Sequence, residues 1–276
     1  MRRSRAGTVT INAVGVVLIC VFAFPVYWMV STAFKPTIDI LGYEPNLWPS
    51  ALTMEHFHTA VTRPLFFDYV RNSLLVATST VLLSAAVALL AALAVARMQW
   101  RGRRGFLTLV LIVQTAPFEA LMIPMFIIYR DLGLLDRLPA LVLTYFIFTL
   151  PFTVWTLRSF VAAIPADLEE AAMVDGCSRV GAYVRVVLPL LWPGLIATGI
   201  FAFITAWNEF LFALVIMQTE DRQTLPLWLS SFRTAFGTDW GGTMAASTLF
   251  TLPVLVFFLA VQHKLVSGLG AGAVKG

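Results

Sequence analysis

Two carboxylates embedded in long apolar runs are the residues of this chain best placed to do chemistry. Glu119 lies in TAPFEALMIPMF, between Pro117 and Pro124, and Glu209 follows Trp207 and Asn208 in AWNEFLFAL. An ionisable group within an apolar span is costly to place and marks a functional position by default. Carboxylates and amides beside an aromatic ring suit a sugar, whose hydroxyls need acceptors and whose C–H face stacks on rings. Glu119, Trp207, Asn208 and Glu209 are therefore candidates for a substrate pathway. The competing reading is hydrogen bonding between helices, at about 0.6–2 kcal/mol per contact. It is favoured for Asn208 and stands level with the pathway reading for the two acids. Pro117 and Pro124 are expected to interrupt their helix and free backbone carbonyls.

Other reaction chemistry is not encoded. GLGAGAVKG at the C-terminus is the closest text to a phosphate-cradling loop, but no Ser or Thr follows Lys275 and no helix comes after it. The chain contains no GxSxG, HExxH or CxxC. Glu55-His56-Phe57-His58 reads as surface residues on a loop, since two histidines at i and i+2 lack a further ligand cluster. Cys20 and Cys177 read as unpaired small packing residues. Without a nucleophile–base pair or a metal constellation, a membrane-embedded enzyme is disfavoured.

These residues must be positioned by membrane helices. The 276 residues are 59% hydrophobic and 12% charged, and the mean hydropathy is +0.84. A soluble domain carries about twice that charge fraction, so the bilayer is the expected solvent. Six windows are long and apolar enough to span: roughly 11–34, 72–96, 105–129, 138–158, 194–217 and 243–262. The first is expected to be a retained helix rather than a cleaved signal, because the run from Thr8 to Phe34 exceeds a signal peptide's apolar core. An even number of spans puts both termini on one side. Arg2, Arg3, Arg5, Arg97, Arg101, Arg103, Arg104, Arg158, Arg179, Arg185, Lys264 and Lys275 share that side. Lys35, Arg63, Arg71, Arg130, Arg137, Arg222 and Arg233 lie on the other, which completes the 19 basic residues. This bias makes the termini cytoplasmic. The basic residues flank apolar runs rather than form a stripe, which argues against a nucleic-acid partner.

Two outer loops are substantial, about 35–71 and 218–242. In the second, Trp228, Phe232, Phe236 and Trp240 recur at helical spacing. They read either as an aromatic belt at the headgroups, the favoured view, or as contacts to a partner outside the membrane.

One cytoplasmic connector is unusually structured. In EEAAMVDGCSRVGAYVRVVLPL, Asp167 suits an N-cap and Glu170 the third position of a capping box. Gly176 suits a left-handed stop, Ser178 a second N-cap, and Pro189 an end to the second helix. Leu168, Ala171, Ala172 and Asp175 share one face of the first helix; Val180, Tyr183, Val184 and Val187 share one of the second. Helices this short are marginal alone. The small Ala171-Ala172 pair leaves an open platform, which reads as a docking element for a separate cytoplasmic protein.

The order Glu170-Ala171-Ala172, three residues, Gly176, nine residues, Val186, one residue, Leu188-Pro189 resembles the EAA loop of ABC importer permeases. The family prefers Ile at Val186 and often has Ala at Cys177; both changes keep apolar volume. AWNEFLFAL resembles the fifth helix of carbohydrate permeases, and LVSGLGAGAVKG the C-terminus of the maltose/trehalose-type second permease subunit. The resemblance runs from about Phe24 to the end. It implies an all-α polytopic membrane protein of about six transmembrane helices, the type I ABC importer transmembrane domain, in a bacterial plasma membrane. Residues 1–35 would be the N-terminal helix, 36–70 an extracytoplasmic loop, 71–264 the core with its coupling loop at 165–190, and 265–276 a cytoplasmic tail.

The resemblance further implies a second homologous permease, two cytoplasmic ATPase subunits and an extracytoplasmic sugar-binding protein. ATP and Mg would sit on the ATPases, with no cofactor or metal on this chain. Glu169, Glu170, Ala171, Ala172, Asp175, Gly176, Leu188 and Pro189 would couple to the ATPase. Gly272, Ala273, Val274, Lys275 and Gly276 would reach the ATPase dimer, and the 218–242 loop would face the binding protein. In this family the sugar site can lie mostly on the partner permease. The function implied is import of a di- or oligosaccharide. The alternative is a proton-coupled secondary transporter with Glu119 and Glu209 as carriers, for which inverted repeats would be expected.

Overall fold

The computed structural model describes residues 5–234 and 237–272. Phe236, Ala273, Val274, Lys275 and Gly276, named above as contact candidates, lie outside those residues. The first apolar run forms α1 (Arg5–Ala33). The short α2 (Thr37–Leu41) and α3 (Glu55–Thr62) follow, then the long α4 (Phe66–Arg97). Next come α5 (Arg103–Gln114), α6 (Met122–Asp131) and α7 (Leu138–Ala163). The connector folds as α8 (Asp167–Val174), α9 (Arg179–Ala182) and α10 (Leu188–Leu190), with a π-helical turn at Tyr183–Val187 between the last two. The chain ends with α11 (Trp192–Asn208), α12 (Leu211–Ile216), α13 (Leu225–Ser230) and α14 (Trp240–Gly272). Before α14, two short antiparallel strands pair Arg233 with Thr238 and Thr234 with Gly237.

Four helices are long and apolar enough to cross a membrane, or up to six if each of two bent pairs is one span. The expected third span, 105–129, is not a single rod: its pieces meet at 90°. The break falls after Gln114, where Pro117 opens an extended residue and a 3₁₀ turn, as the proline pair suggests. The expected fifth span, 194–217, is also interrupted, at Glu209-Phe210 between α11 and α12. The other bent pair joins Arg179–Leu190 to Trp192–Asn208 at 68°.

The chain forms two compact units, residues 1–66 with 228–253, and residues 67–227 with 254–276. In the first, Trp228 packs 5.0 Å from Phe66 and 5.1 Å, edge-on, from Phe232. The Arg63 guanidinium lies 3.7 Å over the Phe232 ring. Trp228, on α13, and Phe232, just beyond its end, are thus core residues, neither belt nor outer contact surface, because they pack on each other and on Phe66 and Arg63. Their helical spacing reported burial inside the protein. The EHFH stretch is likewise helical, and His56 is buried with Nε2 3.0 Å from the Lys35 carbonyl, whereas His58 is exposed.

In the second unit α7 is the central helix. Over half of its most apolar stretch is buried, whereas none of that of α1 is. Small and hydroxylated residues let backbones approach. Ser84 and Thr149 share a 2.7 Å bond between α4 and α7. A Cβ added at Gly194 of α11 would meet the Phe160 ring of α7 at 2.7 Å, so this crossing requires glycine.

Asp136 locks the turn before α7. It adopts a left-handed φ of 59°, which Asp tolerates. It accepts the N–H groups of Gln218 and Thr219 and the Thr219 hydroxyl. Burial pushes its carboxyl up, but these donors and the charge of Arg222 outweigh burial and hold it below the usual carboxylate range. Its contribution is therefore complete above the ordinary carboxylate pKa and lost as pH falls through its lowered one. Asp136→Ala is expected to cost about 1–2 kcal/mol, read as a lower thermal midpoint in detergent at neutral pH. The difference from wild type should shrink in acid.

Candidate functional site

The connector's geometry follows from a few local rules. The α8 helix begins at Asp167 with Ala166 as N-cap and no side-chain cap. The expected capping box is therefore absent: Asp167 is already helical, and Glu170 stays exposed. At the other end Gly176 adopts φ +91°. Its N–H bonds the Met173 carbonyl at 3.1 Å and Cys177 N–H the Ala172 carbonyl at 2.9 Å. This pair of bonds is a Schellman stop. Ser178 then caps α9, its hydroxyl accepting the Gly181 N–H at 3.1 Å.

Pro189 does not end the second helix. Proline removes a donor and crowds the carbonyl four residues back. The π-helical turn over Tyr183–Val187 widens the backbone just before it, and Leu188 N–H bonds the Tyr183 carbonyl instead. The helix continues to Leu190, and the bend comes at Leu191, ahead of Trp192-Pro193.

Two anchors fix the connector to the membrane helices. The Glu169 carboxylate meets Arg97 Nε at 2.6 Å, and the two side chains are 10% and 13% exposed. Arg97 also donates to the Ile164 carbonyl at 2.7 Å. Val187 and Leu191 enter a buried cluster with Ala88 and Ala92 of α4 and Val154, Leu157 and Val161 of α7. The faces assigned from sequence are thus partly reversed. Val187 points inward with Ala182, while Val180 and Val184 are exposed with Leu168 and Val174. Ala171, Asp175 and Pro189 are exposed as well, and Ala172 and Leu188 are half-buried. The result is a rigidly held knob whose outer surface is a small apolar platform with Glu170 beside it. A cleft of about 420 Å³ opens next to it, lined by Arg97, Glu169, Glu170 and Arg179 among others.

Arg97 is the residue that sequence reasoning missed in this role. The available signal was Glu169, an acid on a short helix with no basic residue three or four positions away.

The four pathway candidates divide. Glu119 is exposed at the 90° break, and its carboxylate has no hydrogen-bond partner among the described residues. Glu209 is half-buried at the α11–α12 break and fully engaged. It accepts the Tyr145 hydroxyl at 2.6 Å and the N–H groups of Phe212 and Ala213 at 2.9 and 3.2 Å. Trp207 is wholly buried and stacks 5.5 Å from Phe203. Asn208 is exposed and donates within its own helix to the Ile204 carbonyl at 2.9 Å, rather than across helices. Of the outer aromatics, Trp240 is 51% exposed. Gly272, assigned to the tail contact, ends α14.

The apolar, broken spans with a folded knob between them are those of an integral membrane subunit. Residues 84–269 match the family described as binding-protein-dependent transport system inner membrane component, and the chain belongs to that family. It is 52% identical over 276 residues, all of both chains, to the diacetylchitobiose uptake system permease protein DasC of Streptomyces coelicolor. It is 35% identical over 254 residues to the trehalose transport system permease protein SugB of Mycobacterium tuberculosis, covering 91% of this chain and 92% of that one. The fold matches a crystal structure of a bacterial ABC transporter involved in import of the acidic polysaccharide alginate. The TM-score is 0.81 at 22% identity, over 95% of this chain and 99% of the other.

Proposed function

We propose that this chain is the permease subunit of an ABC importer for a di- or oligosaccharide. ATP hydrolysis would reside on two separate cytoplasmic subunits, with a second homologous permease beside this one and a sugar-binding protein outside. The observation that carries the reading is the connector, anchored by Glu169–Arg97 and Val187 while it offers Glu170, Ala171, Val180 and Val184 outward. Full-length similarity to a diacetylchitobiose permease supports a sugar as cargo.

The mechanism follows from that rigidity. ATP binding would close the ATPase pair and move the docked knob. Because the knob shares a buried cluster with α4 and α7, the motion passes to membrane helices without slack. The permease pair would then rock between inward- and outward-facing states. The charge bias supports a cytoplasmic position for the knob and the termini. Glu119, exposed at a helix break with no hydrogen-bond partner among the described residues, is the best candidate for a sugar contact among the acids within the spans. No step requires a cofactor here; ATP and Mg belong to the ATPases in this reading.

Reversing the charge with Glu170→Arg is expected to lower sugar uptake at least about tenfold, since the family resemblance implies basic groups opposite Glu170 on the ATPase, and like charges at an interface cost several kcal/mol. The membrane level of the protein should be unchanged. Gly176→Val strains a left-handed residue by about 1–3 kcal/mol, yet a Cβ there meets nothing within 4 Å. It should insert normally and couple poorly. Normal uptake by both variants, or uptake that survives ATP depletion but collapses with a protonophore, would overturn the reading.

A further inference from the structure

We propose that a cup in the first unit, between the end of α1, the segment that follows it and the start of α14, binds a glycosyl unit of the transported sugar. The inference rests on the importer reading for its cargo, and it adds a site outside the spans that carry the pathway candidates. The cup holds about 300 Å³, the lower end of the range for small-molecule sites, roughly 300–1,000 Å³. Its walls include Trp28, Thr32, Lys35, Asp39, Tyr43 and Trp240.

The chemistry of the wall selects the ligand. Lys35 is 2% exposed. One of its ammonium hydrogens goes to the Asn46 carbonyl at 2.6 Å, and the charge rests 4.0 Å over the Trp28 ring. The remaining donors have no partner among the described residues, and a buried ammonium with unused donors calls for an acceptor. Thr32 is 6% exposed, and its hydroxyl has no hydrogen-bond partner among the described residues. Asp39 uses one carboxylate oxygen to accept the Ser50 N–H at 2.8 Å. That bond, with the Ser50 hydroxyl and the Lys35 charge, holds its carboxyl below the usual carboxylate range, so the cup presents a carboxylate. At the rim, Tyr43 is fully exposed and Trp240 half-exposed.

A ligand of single net charge gains from one of Lys35 and Asp39 what it loses to the other. A neutral molecule that both donates and accepts, with an apolar face for the rings, satisfies them together. A sugar ring has those properties. A zwitterionic lipid headgroup is the nearest rival, because its ammonium would also rest on the rim aromatics, and displacement by phosphoethanolamine separates the two.

The test uses the assembled transporter in lipid nanodiscs, without its binding protein, titrated with N,N′-diacetylchitobiose and followed by tryptophan fluorescence and saturation-transfer NMR. Saturable binding is expected. Trp240→Ala, on the rim, should weaken it about tenfold and raise the half-saturating sugar concentration for uptake. Lys35→Met should do the same. Should Lys35→Met fail to fold, the rim variant still decides. No saturable binding, equal binding by wild type and Trp240→Ala, or displacement by phosphoethanolamine would overturn the proposal. Binding is measured without transport, so the two readings fail separately. ATP-dependent uptake that ignores both variants removes only the cup. Disaccharide uptake that does not depend on this chain removes the importer reading.

Discussion

Glu169→Ala is expected to destabilise the permease by about 3 kcal/mol, the lower end of the cost of stranding one member of a buried ion pair. The lower end applies because the Arg97 guanidinium keeps a second partner, the Ile164 carbonyl. Thermal unfolding in detergent should show the loss, together with less protein in the membrane. Uptake per molecule should fall too, because the bond ties α8 to the end of α4. Replacing both partners separates the two effects. Glu169→Leu combined with Arg97→Met removes the stranded charge, and such apolar exchanges are often neutral or stabilising. The double variant should therefore regain most of the stability. If the ion pair also sets the knob's orientation, uptake will stay low. A single Glu169→Ala variant as stable and active as wild type would show that the connector is held by Val187 and Leu191 alone.

The contrast between Glu169 and Glu170 shows how far the sequence could be read. The adjacent acids are indistinguishable by type, and spacing marks Glu170 as the residue of the EAA pattern. Only the fold shows that Glu169 turns inward to an arginine 72 positions earlier, a distance that no local rule bridges. The local signals held where the chemistry is local. Gly176 as a left-handed stop and Ser178 as a cap need only neighbouring backbone, and both are present.

The expectations that failed depended on what lies opposite. Trp228 and Phe232 carry a helical period, but the period does not say whether lipid, a partner or the chain itself covers that face. Pro189 read as a stop because an α-helix has no room for its ring. A π-helical turn makes room, and hydropathy carries no trace of that choice. The six apolar windows were legible because a span must be long and greasy. The breaks within them were half legible: Pro117 announces one, whereas nothing before Glu209 announces the other.

The Glu209 break supplies the second large effect. Glu209→Leu is expected to cost about 2–4 kcal/mol, because it leaves the fully buried Tyr145 hydroxyl unpaired and removes the acceptor for two N–H groups at the start of α12. Membrane levels of the variant should drop, and a second-site Tyr145→Phe change should recover part of the loss by removing the stranded hydroxyl. Glu209→Gln keeps one acceptor oxygen, for Tyr145 and Ala213, but turns an amide NH2 towards the Phe212 N–H, so it should cost about 1–2 kcal/mol and leave the half-saturating sugar concentration unchanged. That last measurement separates the two roles that the sequence left level. A carboxylate that touches sugar would shift half-saturation when it becomes an amide, while one that joins two helix segments would not. The three bonds already on Glu209 favour the joining role and leave Glu119, at the other break, as the acid free to meet cargo. Glu119→Gln is accordingly the change expected to alter half-saturation while leaving the thermal midpoint in place.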